Sequence, residues 1–156
     1  MIFESPSKGR MSFEAMFGDL LAYLGESPDD QYKLIVGTDS HTRHETILVT
    51  AVVIHHIGKG GRYYFHKSRR RAIGSLRQKI FYETSTSLTV AAQLTTLLEA
   101  SGFAEFDVEI HIDVGQQGET KELIREIVGM VTGSGYQAAI KPHSFGASKV
   151  ADKYTK

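Results

Sequence analysis

The segment YKLIVGTDSH (Tyr32–His41) begins as an apolar run of strand length and stops on three polar side chains, Asp39, Ser40 and His41. It predicts a buried strand that ends in a carboxylate. Immediately after it, ETILVTAVVIHHI (Glu45–Ile57) is rich in branched residues, and Gly58, Lys59, Gly60 and Gly61 separate it from RYYFHK (Arg62–Lys67). Two strands with a glycine-rich connection form a hairpin. Towards the amino terminus, Ser12 is placed to cap a helix in which Phe13, Met16, Phe17, Leu20, Leu21 and Leu24 recur at spacings of three and four until Gly25. Beyond Gly74 and Ser75 lies the longest helical stretch, with Leu76, Ile80, Glu83, Ser87, Val90, Leu94 and Leu97 on one face before Ser101 and Gly102. Then FDVEIHIDV (Phe106–Val114) alternates as a strand and again ends at an aspartate, Asp113. A helix over 119–131, a short strand over 136–140 and a last helix from about Ala147, carrying Asp152, complete the order. The expected architecture is a mixed five-stranded α/β sheet, three antiparallel strands followed by parallel ones, with helices on both faces and an additional amino-terminal helix.

The chain has 156 residues, the size of one ordinary domain, so the expectation is a single domain over 1–156 with residues 1–30 as a helical extension. Its 41% hydrophobic residues suffice for a core. With no cysteine, a disulfide framework, a thiolate metal site and a cysteine nucleophile are excluded. Any metal must sit on carboxylates, histidines or carbonyls. No apolar run approaches the roughly 20 residues that span a bilayer, and no signal-peptide pattern opens the chain, so a cytoplasmic protein is expected. The 18 basic and 18 acidic residues cancel, yet their distribution is uneven. From Lys59 to Tyr82 there are eight basic residues and no acidic one, against six acidic and two basic in residues 1–31.

Asp39 and Asp113 each follow a strand, Glu83 interrupts the inward stripe of the long helix, and Asp152 lies on the last helix. If the first and fourth strands of this order are neighbours, their carboxyl ends converge where open α/β sheets place ligands. Four carboxylates packed together repel, and a pair of divalent ions about 3.5–4 Å apart makes such a cluster stable. Hard oxygen ligands favour Mg²⁺ or Mn²⁺. Taken singly, Asp39 and Asp113 also suit a turn or cap, Glu83 could reach solvent at the edge of its stripe, and Asp152 lies near a chain end.

In the order of its elements and in the placement of these four acidic residues, the stretch from Tyr32 to Asp152 resembles the ribonuclease H fold. The segments SPDDQYKLIVGTDSH (27–41) and KPHSFGASKVADK (141–153) look like the uncharacterised bacterial YkuK family of ribonuclease-H-like proteins. The resemblance implies a metal-dependent nuclease: Asp39 would bridge two metal ions, Asp113 and Glu83 would bind one, and Asp152 the other. His143 falls where some ribonucleases H hold a histidine that assists proton transfer to the leaving group. His41 has no role in that general pattern.

Nucleic acid is the expected partner, with Lys67, Arg69, Arg70, Arg71 and Arg77 as a track for its backbone, though such a stripe can also be a solvated edge. An outward tyrosine among Tyr63 and Tyr64 would offer a base a stacking surface. His55 and His56 point to opposite strand faces, whereas His111 shares a face with Glu109 and Asp113. The rival expectation is a non-catalytic nucleic-acid-binding or assembly module on the same fold.

Overall fold

The computed structural model describes residues 1–103, 106–114, 121–140, 150–151 and 153–155. Its elements in chain order are β1 (Ile2–Ser5), β2 (Gly9–Ser12), α1 (Phe13–Glu26), β3 (Tyr32–Thr42), β4 (Glu45–His56), β5 (Gly60–Arg71), α2 (Leu76–Ala100), β6 (Val108–His111), α3 (Lys121–Gly133) and β7 (Gln137–Ala139). Residues 150, 151 and 153–155 are helical as well. The strands form one sheet in the order β2-β1-β5-β4-β3-β6-β7, antiparallel from β2 to β3 and parallel from β3 to β7. The expected mixed α/β class holds. The strand number does not: there are seven, because β1 and β2 extend the antiparallel edge where the periodicity of residues 1–30 indicated only a helix. Four-residue strands are too short to leave a period-two signal that stands out from their neighbours.

Alternation along β3 divides the molecule. Leu34 and Val36 face a large core with Met16, Phe17, Leu20 and Leu24 of α1, Ile80, Val90, Leu94 and Leu98 of α2, and Ile124, Ile127 and Val131 of α3. The amino-terminal helix is therefore core. Ile35 faces the opposite way and packs with Val49, Ala51, Phe65 and Ala151, so the last helical stretch covers the second face. There Tyr154 stacks on Phe65 with ring centroids 3.7 Å apart and meets the Tyr63 hydroxyl at 2.8 Å. Tyr64 is fully buried on the other face. Tyr64 thus serves packing and is closed to a base, whereas Tyr63 is half-buried with its hydroxyl held by Tyr154.

Helices α1 and α2 are capped at their amino termini. Ser12 Oγ accepts from the Ala15 N–H, and Ser75 Oγ from the Gln78 N–H, both at 3.1 Å. The β4–β5 connection needs its glycines: Gly58 and Gly60 have φ of 80° and 97°, and a Cβ on Gly61 would come 2.5 Å from the Ile54 carbonyl oxygen. Among the described residues no helix is long and apolar enough to cross a membrane.

The amino-terminal elements are fastened to the sheet through one carboxylate. Asp19, on the buried side of α1, pairs with Lys8 from the β1–β2 turn, accepts from Arg62 at 3.2 Å and accepts from the Tyr64 hydroxyl at 2.5 Å. Burial pushes its pKa up, but Lys8, Tyr64 and Arg62 more than offset this and hold it below the usual carboxylate range. Removing Asp19 leaves a buried hydroxyl and two cations without their acceptor. Asp19→Ala is expected to lower unfolding stability by about 2–4 kcal/mol, measured by denaturant titration.

Candidate active site

The site lies where β6 parts from β3. The parallel ladder runs from Leu34 against Val108 to Gly37 against His111 and ends there, while β3 continues to Thr42 against β4. From this point the chain leaves β3 towards β4 and leaves β6 towards α3 and β7, on opposite sides. Such a divergence opens a crevice at the carboxyl ends of neighbouring strands. Asp39 is within β3, two residues past the last paired position, rather than after the strand's end as the apolar run indicated. It is only 6% exposed. Asp113 is two residues past the end of β6 and partly exposed; continued by two residues, the same register sets it opposite Asp39. The ladder itself does not extend that far, since β6 spans four residues instead of the longer strand expected.

Glu83 reaches the crevice from α2. Its helix buries Ile80, Glu83, Thr84, Ser87, Val90, Ala91, Leu94 and Leu98, a stripe with spacings of three and four, so Glu83 faces inward as its phase required. It is 5% exposed. Ser40 Oγ donates to Glu83 Oε2 at 2.6 Å, and one turn on, Ser87 Oγ lies 2.7 Å from Thr38 Oγ1, which is in turn 3.0 Å from Thr50 Oγ1. The match is geometric: four helical residues rise about 6 Å and two strand residues about 6.8 Å, so every fourth residue of α2 meets every second residue of β3. Ser40 was not anticipated as a site residue. Its only signal in the sequence was its parity with Leu34 and Val36.

The Glu83 pKa is raised to about 7: burial is the largest cause, Lys79 at 3.3 Å and Ser40 oppose it, and the nearby Asp39 charge adds to it. Asp39 and Glu83 are thus close enough to repel across a site nearly closed to water. Among the described residues no group of three or more such side chains is arranged to hold a metal ion. The donor chemistry nonetheless fits one: both groups offer carboxylate oxygens, and their repulsion is what a hard divalent cation removes. Asp152 and His143 lie outside the described residues.

Behind Asp113, on the face of β3 and β6 that carries Ile35, Glu109 accepts from His111 Nε2 at 2.8 Å and from Lys33 at 3.2 Å. Burial pushes the Glu109 pKa up, but these two donors bring it below the usual value. His111 is therefore a hydrogen-bonded core histidine, and Lys33 joined it without any sequence signal beyond strand parity.

The five basic residues proposed as a backbone track divide between two faces. Lys67, Arg69 and Arg71 alternate on the Phe65 face, and Lys67 is joined through Val49 to Asp39 in one row of the sheet. Arg70 turns the other way, its guanidinium 3.5 Å from the Tyr82 ring centroid. Arg77 pairs with Glu126 of α3 at 2.8 Å. Arg70 is thus already engaged with α2 and Arg77 with α3, and Arg69 pairs with Glu45 at 2.7 Å. The stripe separated because β5 extends to Arg71, well beyond the Lys67 limit drawn from its apolar residues.

An acid with a raised folded pKa binds more protons in the native state than in the unfolded one, so Glu83 costs stability as pH climbs from about 4.5 through 7. Relative to Glu83→Gln, the metal-free chain should lose roughly 3 kcal/mol between pH 4 and pH 8, read from denaturant midpoints. A constant difference would contradict the burial assigned to this carboxylate.

A family profile described as Ribonuclease H-like matches residues 15–156. The "Uncharacterized protein YkuK" of Bacillus subtilis (strain 168) is 36% identical over 168 aligned positions, covering 99% of this chain and 97% of that relative. No solved structure matches. With a mixed sheet, a long helix that brings Glu83 to Ser40, the neighbour of Asp39, and this match over nearly its whole length, the chain belongs to the ribonuclease H-like family.

Proposed function

We propose that this chain is a divalent-metal-dependent nuclease, a single-domain enzyme hydrolysing phosphodiester bonds of RNA or DNA. The observation that supports this best is the buried approach of Asp39 and Glu83 at the crevice between β3 and β6. Two buried carboxylates within electrostatic reach are costly unless a cation joins them. The ions in this reading are two Mg²⁺ or Mn²⁺, as expected for the fold, and bound there they would supply the positive charge that acidifies water and offsets charge on the departing oxygen.

The chain's own residues divide the remaining work. Asp39 would hold both ions, Glu83 and Asp113 would hold one, and Asp152 the other. Ser40, donating to Glu83 Oε2, fixes the orientation of that carboxylate. Lys67, Arg69 and Arg71 face the same way as Asp39 and bind the phosphate backbone, in a term that salt weakens. Arg70 and Arg77, engaged with Tyr82 and Glu126, contribute at the margin of the track. His143 delivers a proton to the leaving oxygen.

The alternative, a non-catalytic nucleic-acid-binding or assembly module, is favoured by one contact. Lys79 lies 3.3 Å from Glu83 Oε2 and partly neutralises it without any metal.

Cleavage of a labelled panel of single-stranded RNA, single-stranded DNA, both duplexes and the hybrid, with Mn²⁺, Mg²⁺ or chelator, separates the two readings. Metal-dependent cleavage is expected, falling to background in Asp39→Asn with an unchanged fold. Cleavage retained by Asp39→Asn removes this residue from the chemistry. Salt-sensitive binding in chelator with no turnover on any substrate would establish the binding module instead.

A further inference from the structure

Next to Asp39, the β3–β4 turn forms a recess of about 260 Å³ lined by His41, Arg43, His44, Glu45, Ile47 and Thr155. Only two residues, Arg43 and His44, join the strands, and the turn is braced. The Arg43 N–H donates to the Glu45 carbonyl at 3.0 Å, and the hydroxyls of Thr42 and Thr46 meet at 2.7 Å, where Thr46 also accepts from the Ile73 N–H at 2.9 Å. The side chains on this turn are therefore presented from a rigid base.

Within the recess, Arg43 Nε donates to His41 Nε2 at 3.2 Å. A guanidinium has no acceptor, so His41 Nε2 must accept and the ring proton sits on Nδ1. The pair consequently offers two kinds of donor, the remaining guanidinium N–H groups of Arg43 and His41 Nδ1–H. Glu45, the acidic member of the lining, is already engaged with Arg69 at 2.7 Å. Arg43, Lys67 and Arg71 make no ion pair among the described residues.

The position matters as much as the charge. His41 is two residues beyond Asp39 on the same strand face, about 6.8 Å along β3, comparable to the separation of consecutive phosphates on a nucleic-acid strand. Across the sheet it shares a row with Ile47 and Arg69, next to the row of Asp39, Val49 and Lys67.

We infer that the His41–Arg43 pair is a phosphate-binding subsite, which holds the backbone phosphate adjacent to the one presented to Asp39 and so sets the register of the substrate strand. The assignment of the ligand as a phosphodiester backbone rests on the nuclease reading. His41 and Arg43 here are binding residues and take no part in the bond-breaking step. Their loss should therefore weaken substrate binding, raising KM while leaving kcat nearly unchanged.

The test is fluorescence anisotropy in chelator with labelled single-stranded RNA and DNA 20-mers, over a series of salt concentrations, using the full chain and the His41→Gln/Arg43→Gln double variant. His41 is partly exposed near the end of β3 and Arg43 is exposed in the turn, so circular dichroism should confirm an intact fold, and Arg43→Lys, which keeps the charge, should recover part of the loss. The expected result is about tenfold weaker binding and a salt slope smaller by about one. Unchanged affinity and slope in the double variant would overturn the subsite. In that event Asp39-dependent cleavage would still stand, so the two readings fail separately. Failure of the wild-type chain to bind either 20-mer would overturn the subsite as well.

Discussion

A carboxylate buried beneath a strand is the constraint on which this molecule turns. Glu83 enters the protein from the first third of α2, and Ser40 Oγ meets it at 2.6 Å while Ser87 meets Thr38 one turn away. These contacts fix the axial register of a 25-residue helix against the central strand. They also have a consequence beyond packing, because the helix places a negative group close to Asp39 where little water remains to screen it. Apolar residues farther along α2, from Val90 to Leu98, supply the burial that holds the helix in this position. Stability from the core is thereby spent on keeping Glu83 buried with a raised pKa, a pattern that marks functional sites.

The rest of the architecture serves to keep the crevice open on one face. On the α1–α3 side the sheet is covered continuously, and the β1–β2 hairpin widens it. The Asp19 cluster fastens this hairpin and α1 to β5 through Lys8, Arg62 and Tyr64. On the other side, the last helical stretch packs Ala151 and Tyr154 over Ile35, Val49 and Phe65. The rows of the sheet beyond Phe65 carry Lys67, Arg69 and Arg71, and the row past Asp39 carries His41. Asp39 and Asp113 thus lie where β6 parts from β3, and Lys67, Arg69 and Arg71 lie two strands away on β5, a separation that suits metal ions on one side and a polyanion on the other.

Much of this was legible in the residues themselves. Long, strongly periodic elements announced their type: the inward stripe of α2 put Glu83 at the right phase, and branched residues marked β4. What failed was extent. Polar residues at 39–41 looked like a strand's end because a buried strand normally carries apolar ones; here Asp39 and Ser40 remain in the ladder since α2 and the crevice give them partners. The reverse happened at β6, whose alternation continues through Asp113 although its pairing with β3 stops at His111. The hairpin of β1 and β2 is hidden by brevity, and nothing local marks Asp19 as its anchor, because its partners Lys8, Arg62 and Tyr64 come from other elements. The basic stripe was visible as composition, but only strand parity in the extended β5 assigns Arg70 to Tyr82 and Lys67 to the row of Asp39. Contacts formed by distant parts of the chain, such as Lys33 with Glu109, leave no local pattern to read.

If Asp39 and Glu83 form a cation site whose occupation relieves their repulsion, cation binding displaces the Glu83 proton. Calorimetric titration with Mn²⁺ at pH 6.5, in two buffers of different ionisation enthalpy, measures the protons released on binding. With a Glu83 pKa of about 7, binding should release most of one proton per chain, and Glu83→Gln should abolish that release. Mn²⁺ binding without proton release, or with a release that Glu83→Gln leaves unchanged, would contradict the account.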